Sequence, residues 1–236
     1  MQNRGVCSII VLLIIRSYPL NVFGRTKMNK KYTLPNDLIV LISGVPGVGK
    51  TTISYEHLKE HEEFRLVEET DIIREILRGY NEYLENIHDT PLNDVIYEHD
   101  IFLSYDMAKH QCRIMKNSII NIIQRQQRKG IPTIINGVHI IPEELYLNIK
   151  SPNILFINLY VDSEAALWKR LKIRDPQKYK PDRIPLLYKT NTDLNNSLYH
   201  IPGNLYNVYS IDVSNMTVTD TLSTIDKIFY DIYKIS

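Results

Sequence analysis

The chain has 236 residues, enough to bury one sizeable core without requiring two domains. A formal net charge of +1 argues against the basic patch or stripe that marks a nucleic-acid partner. Two cysteines, Cys7 and Cys112, exclude a disulfide framework and have no metal-ligand spacing, which fits a reducing, cytoplasmic setting.

Residues 1–36 read as an N-terminal extension to a core domain spanning 37–236. Val6 to Ile15 is mostly apolar but too short to span a bilayer as a helix, so no membrane partner is expected. It has the length of a signal-peptide core, yet no small-residue cleavage site follows. Met28-Asn-Lys-Lys31 offers an alternative start, so an extension or mis-assigned start is expected rather than a secretion signal.

Leu38 to Ser43 is a short apolar run of the kind that forms a strand buried on both faces. It leads into Gly44-Val45-Pro46-Gly47-Val48-Gly49-Lys50-Thr51-Thr52, which satisfies the phosphate-loop pattern G-x-x-x-x-G-K-[ST] at every specified position. A polar helical stretch, Ser54 to Glu62, follows. Strand, loop and helix in that order let successive N–H groups and the helix N-terminus face phosphate oxygens. Lys50 is expected on the β- and γ-phosphates of ATP and Thr51 on Mg²⁺. Within the helix, His57-Leu-Lys-Glu60-His61 matches the inverted zinc-protease order H-x-x-E-H. Its place behind the loop, facing away from the ligand end, reads as chance agreement.

Phe64 to Glu69 predicts a second strand ending at Thr70-Asp71, then a helix from Ile72 to about Gly79 and an irregular stretch from Asn81 to Pro91. Asn93 or Asp94 opens a long helical region to Lys129, with room for one break and closed by Gly130, with Cys112, Met115, Ile119 and Ile122 on one face. Thr133 to Asn136, Ile154 to Val161 and Asn207 to Val213 predict three further strands. Asp162-Ser-Glu164 caps a helix burying Leu167 and Leu171, residues 175–203 show weak periodicity, and Asp220 caps a last helix. Alternating strands and helices imply a parallel sheet covered on both faces, with ligands at the strand carboxyl ends.

Three stretches fall at those ends. Asp71 can orient or deprotonate an acceptor hydroxyl, while Arg74 and Arg78, at i+3 and i+7, can hold an anionic acceptor. Asn136, Gly137 and His139 leave a buried strand where a backbone can approach a ligand. Arg170 and Arg174, four apart, can close over a transferring phosphoryl group.

Ile42 to Thr51, Thr70-Asp-Ile-Ile-Arg-Glu-Ile-Leu-Arg78 and Ile134-Ile-Asn-Gly-Val-His-Ile-Ile-Pro142 together resemble the 2-phosphoglycerate kinase family, over about residues 38–175. The resemblance implies a small α/β P-loop NTPase fold akin to shikimate and adenylate kinases. Its five-stranded, mostly parallel sheet would be sandwiched by helices under a helical or irregular lid at about 164–203. It also implies Mg-ATP as phosphoryl donor and a small anionic hydroxyl-bearing acceptor, in a monomer or homodimer. On this reading Lys50, Asp71, Arg170 and Arg174 carry catalysis, Thr51 and Asp71 hold the metal, and Asp71, Arg74, Arg78, Asn136, Gly137 and His139 bind the acceptor. Where that family has Glu before Gly-Val-His, this chain has Asn136, which cannot serve as a base at neutral pH. Alternatives are a kinase of another small acceptor, of the zeta-toxin or shikimate-kinase kind, or an ATP-binding regulatory protein without transfer.

Overall fold

A computed structural model describes residues 32–88, 104–149, 151–200 and 207–234. The expectations for residues 1–31, and for a helix start at Asn93 or Asp94, lie outside them. Five strands, β1 (Ile39–Ser43), β2 (Leu66–Glu69), β3 (Thr133–Asn136), β4 (Ile154–Tyr160) and β5 (Asn207–Asp212), form one sheet in the order β2-β3-β1-β4-β5. Every pairing is parallel. The central strands β1 and β3 are buried throughout and β4 nearly so, whereas the edges β2 and β5 are largely half-buried. This explains why the central strands read as unbroken apolar runs.

The helices are α1 (Lys50–Glu60), α2 (Thr70–His88), α3 (Tyr105–Lys129), the single turn α4 (Pro142–Leu145), α5 (Glu164–Arg174), α6 (Ile184–Ser197) and α7 (Val218–Tyr233). From β1 the chain runs to β2 at the edge, returns to β3 between β2 and β1, then crosses to the other side of β1 for β4 and β5. The carboxyl end of β1 is therefore the topological switch point, where an open α/β sheet leaves a crevice for ligand. Among the described residues no helix is long and apolar enough to cross a membrane.

The structure refines several local expectations. The second helix continues through the stretch expected to be irregular and reaches His88. Gly79 lies inside it with open space around its Cα, a cost of only about 1 kcal/mol relative to alanine. In α3, Ser104 supplies the cap and Cys112, Met115, Ile119 and Ile123 make the buried stripe, with Ile122 turned half outward. Residues 184–197, within the stretch of weak periodicity expected as a helical or irregular lid, form α6. Its buried stripe, Ile184, Leu187, Asn191 and Leu194, contains a polar member whose amide pairs with both backbone groups of Val161. At α7, Thr217 is the cap and Asp220 its reciprocal partner three residues on. Leu34, counted with the extension by sequence, lies in the core, and Tyr32 bridges Lys234.

Candidate active site

The phosphate loop leaves β1 at the switch point and ends on Gly49, the residue before α1. Gly47 and Gly49 have φ of 93° and 99°, in the region that side chains with a Cβ disfavour. A Cβ on Gly47 would also approach Leu171 of α5 to 2.7 Å, so this glycine lets the loop settle on the buried face of α5. Val45 and Val48 anchor the loop from below, fully buried. Lys50 donates from Nζ to the Val45 carbonyl at 3.0 Å. Burial pushes its ammonium down to about 8, opposed by the Asp71 and Glu69 carboxylates and reinforced by Arg174. Such a lysine regains its ordinary basicity when phosphate replaces the lost water.

Two cavities meet at Lys50 and Thr51. The inner one, about 430 Å³, is lined by Asp71, Arg74, Asn136, Gly137 and Arg174 as expected. Sequence reasoning missed four further charged walls: Glu69, and the cations Lys178, Lys180 and Arg183 from the chain between α5 and α6. Six cations thus face two carboxylates, a balance that suits an anion. The signals were present, in the basic run 178–183 and in an acidic strand end, Glu68-Glu69. The outer cavity, about 870 Å³, lies between Gly47–Ile53, α5 and the turn Ser214–Val218 before α7. Both volumes fall in the range of small-ligand sites, roughly 300–1,000 Å³.

Thr51 and Thr52 begin α1, Thr51 at the rim of both cavities and Thr52 in the outer one. The Thr51 hydroxyl points to Glu69 Oε2 at 3.5 Å, and Glu69 also accepts from the Tyr55 hydroxyl at 3.2 Å. Asp71, 61% exposed in its side chain, opens α2 beside them. These are hard oxygen donors on the phosphate side of the loop, a set that fits Mg²⁺.

Arg74 is buried, 4.0 Å from Asp71 and 3.5 Å from Glu75. Arg78 does not reach the cavity; its guanidinium forks onto both oxygens of Glu75 at 3.0 Å. Helical spacing put the two arginines on one face, but of the two only Arg74 lines the inner cavity. Arg174 lines both cavities, whereas Arg170 faces only the outer one, donating to the carbonyls of Val213 and Met216.

His139 is not a wall residue either. Wholly buried, it bridges Thr70 Oγ1, 3.0 Å from Nδ1, and Gln111 Oε1, 2.6 Å from Nε2. The Gln111 carbonyl can only accept, so it takes the Nε2–H, and the ring is held between α3 and the first residue of α2. Its Nδ1 lies 3.7 Å from Asp71, so the ring fixes the start of α2 from behind. Gly137 completes that joint: a Cβ there would come within 2.8 Å of Thr70 Cβ and overlap its hydroxyl. Asn136, 2% exposed, has no hydrogen-bond partner for Nδ2 among the described residues. Its neighbour across the sheet, Ile42, lies at the mouth of the loop.

Comparison with known proteins agrees with this geometry. A 2-phosphoglycerate kinase from Pyrococcus horikoshii is 34% identical over 113 residues, covering 44% of this chain and 36% of that protein. One from Methanococcus maripaludis is 27% identical over 157 residues, covering 62% of this chain and 50% of its own length. The chain therefore matches half or less of the length of these relatives. A gluconokinase from Sinorhizobium meliloti superposes with a TM-score of 0.50 at 15% identity, over 84% of this chain and 95% of that one, which shows a shared fold. The AAA domain model matches residues 40–192, from β1 through most of α6 and both flanks of the phosphate loop, so this chain belongs to the AAA domain family and within it resembles the 2-phosphoglycerate kinases.

Proposed function

We propose that this protein is an ATP-dependent kinase that phosphorylates a hydroxyl of a small anionic acceptor, with 2-phosphoglycerate the first candidate. The observation that carries the reading is the inner cavity, which joins the phosphate-loop lysine, two carboxylates and five further cations around one small-molecule volume. The nucleotide occupies the outer cavity with its phosphates on Gly47 to Thr52, and the base lies against the turn before α7 and the held guanidinium of Arg170. Thr51, with Glu69 and Asp71, would hold Mg²⁺, which when bound neutralises charge at the β- and γ-phosphates.

Asp71 accepts the proton of the attacking hydroxyl or orients it. Arg74, with the basic run 178–183, holds the acceptor's carboxylate and phosphate. Arg174, at the junction of the cavities, faces the transferring phosphoryl group. Asn136 offers Nδ2 as a donor to an acceptor oxygen, a use for a buried amide that otherwise lacks a partner. For 2-phosphoglycerate the C3 hydroxyl attacks the γ-phosphorus, the bond from the γ-phosphorus to the bridging oxygen breaks, and ADP and 2,3-bisphosphoglycerate leave. Phosphorus NMR of a mixture with ATP tests this: a second ester phosphate on the acceptor supports it. ATP that binds without any acceptor gaining phosphate favours the second reading, an ATP-binding protein without transfer, for which Asn136 in place of a carboxylate is the motive.

A further inference from the structure

The last turn of α1 carries a cluster that phosphoryl transfer does not use. His57 and His61, four apart, lie on the face of α1 that packs against α7, with ring centroids 5.3 Å apart. Asp226 of α7 meets them, its Oδ1 2.7 Å from His61 Nε2. The three candidate ligand atoms lie within 4.8 Å of one another. His57 is 1% exposed, and neither of its ring nitrogens has a hydrogen-bond partner among the described residues. A buried polar atom left unpaired costs about 1–3 kcal/mol, so an imidazole orphaned at both nitrogens calls for an explanation. Packing on Phe229, 5.7 Å away at 62°, gives at most one weak N–H to ring contact and leaves the second nitrogen bare.

We propose that His57, His61 and Asp226 form a structural site for a divalent transition metal of the Zn²⁺ type, joining α1 to α7. Two imidazoles and one carboxylate are a borderline-soft donor set that favours Zn²⁺ over Mg²⁺. Tetrahedral bonds of about 2.0–2.1 Å place ligand atoms roughly 3.3 Å apart, so closure needs the cluster to contract and the bond between His61 and Asp226 to open slightly. Each of the two imidazoles can offer one ring-nitrogen lone pair to a metal, and the carboxylate an oxygen. The Tyr32 hydroxyl, 3.5 Å from the same carboxylate oxygen, is the outer partner that orients it. Asp226, 36% exposed, provides the way in and leaves room for water as a fourth ligand. The C-terminal end of α1 adds a favourable negative dipole. Glu60 is exposed and takes no part, so the cluster is not the zinc-protease arrangement that its spacing suggests.

The test uses the full chain stripped with EDTA, then titrated with Zn²⁺ alone while heat and melting temperature are followed, with Mg²⁺ in parallel. The expected result is one high-affinity equivalent of Zn²⁺ that raises the melting temperature, with no comparable effect of Mg²⁺. Both effects should vanish in His57→Phe, which keeps the aromatic packing, and in Asp226→Asn, while Tyr32→Phe should weaken binding about tenfold. If His57→Phe fails to fold, the half-buried Asp226→Asn substitution carries the comparison. Absence of a Zn²⁺-dependent rise in the wild type, or its survival in the ligand variants, would overturn the proposal.

Discussion

Replacing Lys50 with methionine should abolish nucleotide binding while leaving the empty protein at least as stable as before. Burial holds the Lys50 ammonium at about 8 instead of 10.5. At about 1.4 kcal/mol per pH unit, keeping it charged at pH 7 costs the folded state roughly 3 kcal/mol relative to the unfolded chain. The side chain retains some contact with water, which discounts this to about 1–2 kcal/mol. Methionine removes that cost and forfeits the bond to the Val45 carbonyl, worth about 1 kcal/mol. The net expectation at pH 7 is a change between zero and about 1 kcal/mol in favour of the variant.

The pH dependence gives the sharper signature. Between about pH 8 and 10.5 the unfolded chain still holds the proton that folded Lys50 has released, so wild-type stability gains with rising pH in that window. The variant lacks this gain. Tyrosines with raised pKa values, such as Tyr32, act in the opposite direction above pH 10 but do so in both proteins and cancel in the difference. Urea unfolding of both proteins at pH 7, 8, 9 and 10, without nucleotide, measures it. Parallel curves, or a variant more than about 1 kcal/mol weaker at pH 7, would refute the assignment of Lys50 as a charge held at the fold's expense for a phosphate.

ATP affinity should fall as pH rises above about 8, by up to about tenfold per unit, because the bound phosphates favour the charged form that free Lys50 is losing. Calorimetry in two buffers of different ionisation enthalpy would detect the matching proton uptake. Gly137→Ala should cost about 1–3 kcal/mol by forcing Thr70 back, and should lower kcat through the displaced Asp71 even where the protein stays folded. Arg74→Ala should reduce acceptor kcat/KM by about 10- to 100-fold, while Arg78→Ala, whose guanidinium pairs with Glu75 and does not line the inner cavity, should stay within about threefold.

The sequence announced whatever depends on neighbours along the chain. The phosphate loop, all five strands and the buried Leu167 and Leu171 are visible as short motifs or apolar runs. What escaped it depends on contacts between distant segments. The α6 stripe looks broken because Asn191 occupies a core position, and only its pairing with Val161, 30 residues away, makes that position acceptable. His139 and Arg78 carry chemistry that suits a ligand, yet Gln111 and Glu75 claim them. Spacing tells which residues share a face, not which of them end in the cavity. His57 and His61 show the converse: two residues read as coincidence acquire a third partner, Asp226, 165 residues beyond His61.

The central claim is tested most directly by ADP release from Mg-ATP across a panel of small hydroxy-acid phosphates headed by 2-phosphoglycerate, comparing wild type with Asp71→Asn. The account predicts that one anionic acceptor raises turnover well above the ATP-only rate, and that Asp71→Asn removes the rise while ATP still binds. An unchanged rate with every acceptor, or an acceptor-dependent rate that survives in Asp71→Asn, would contradict it.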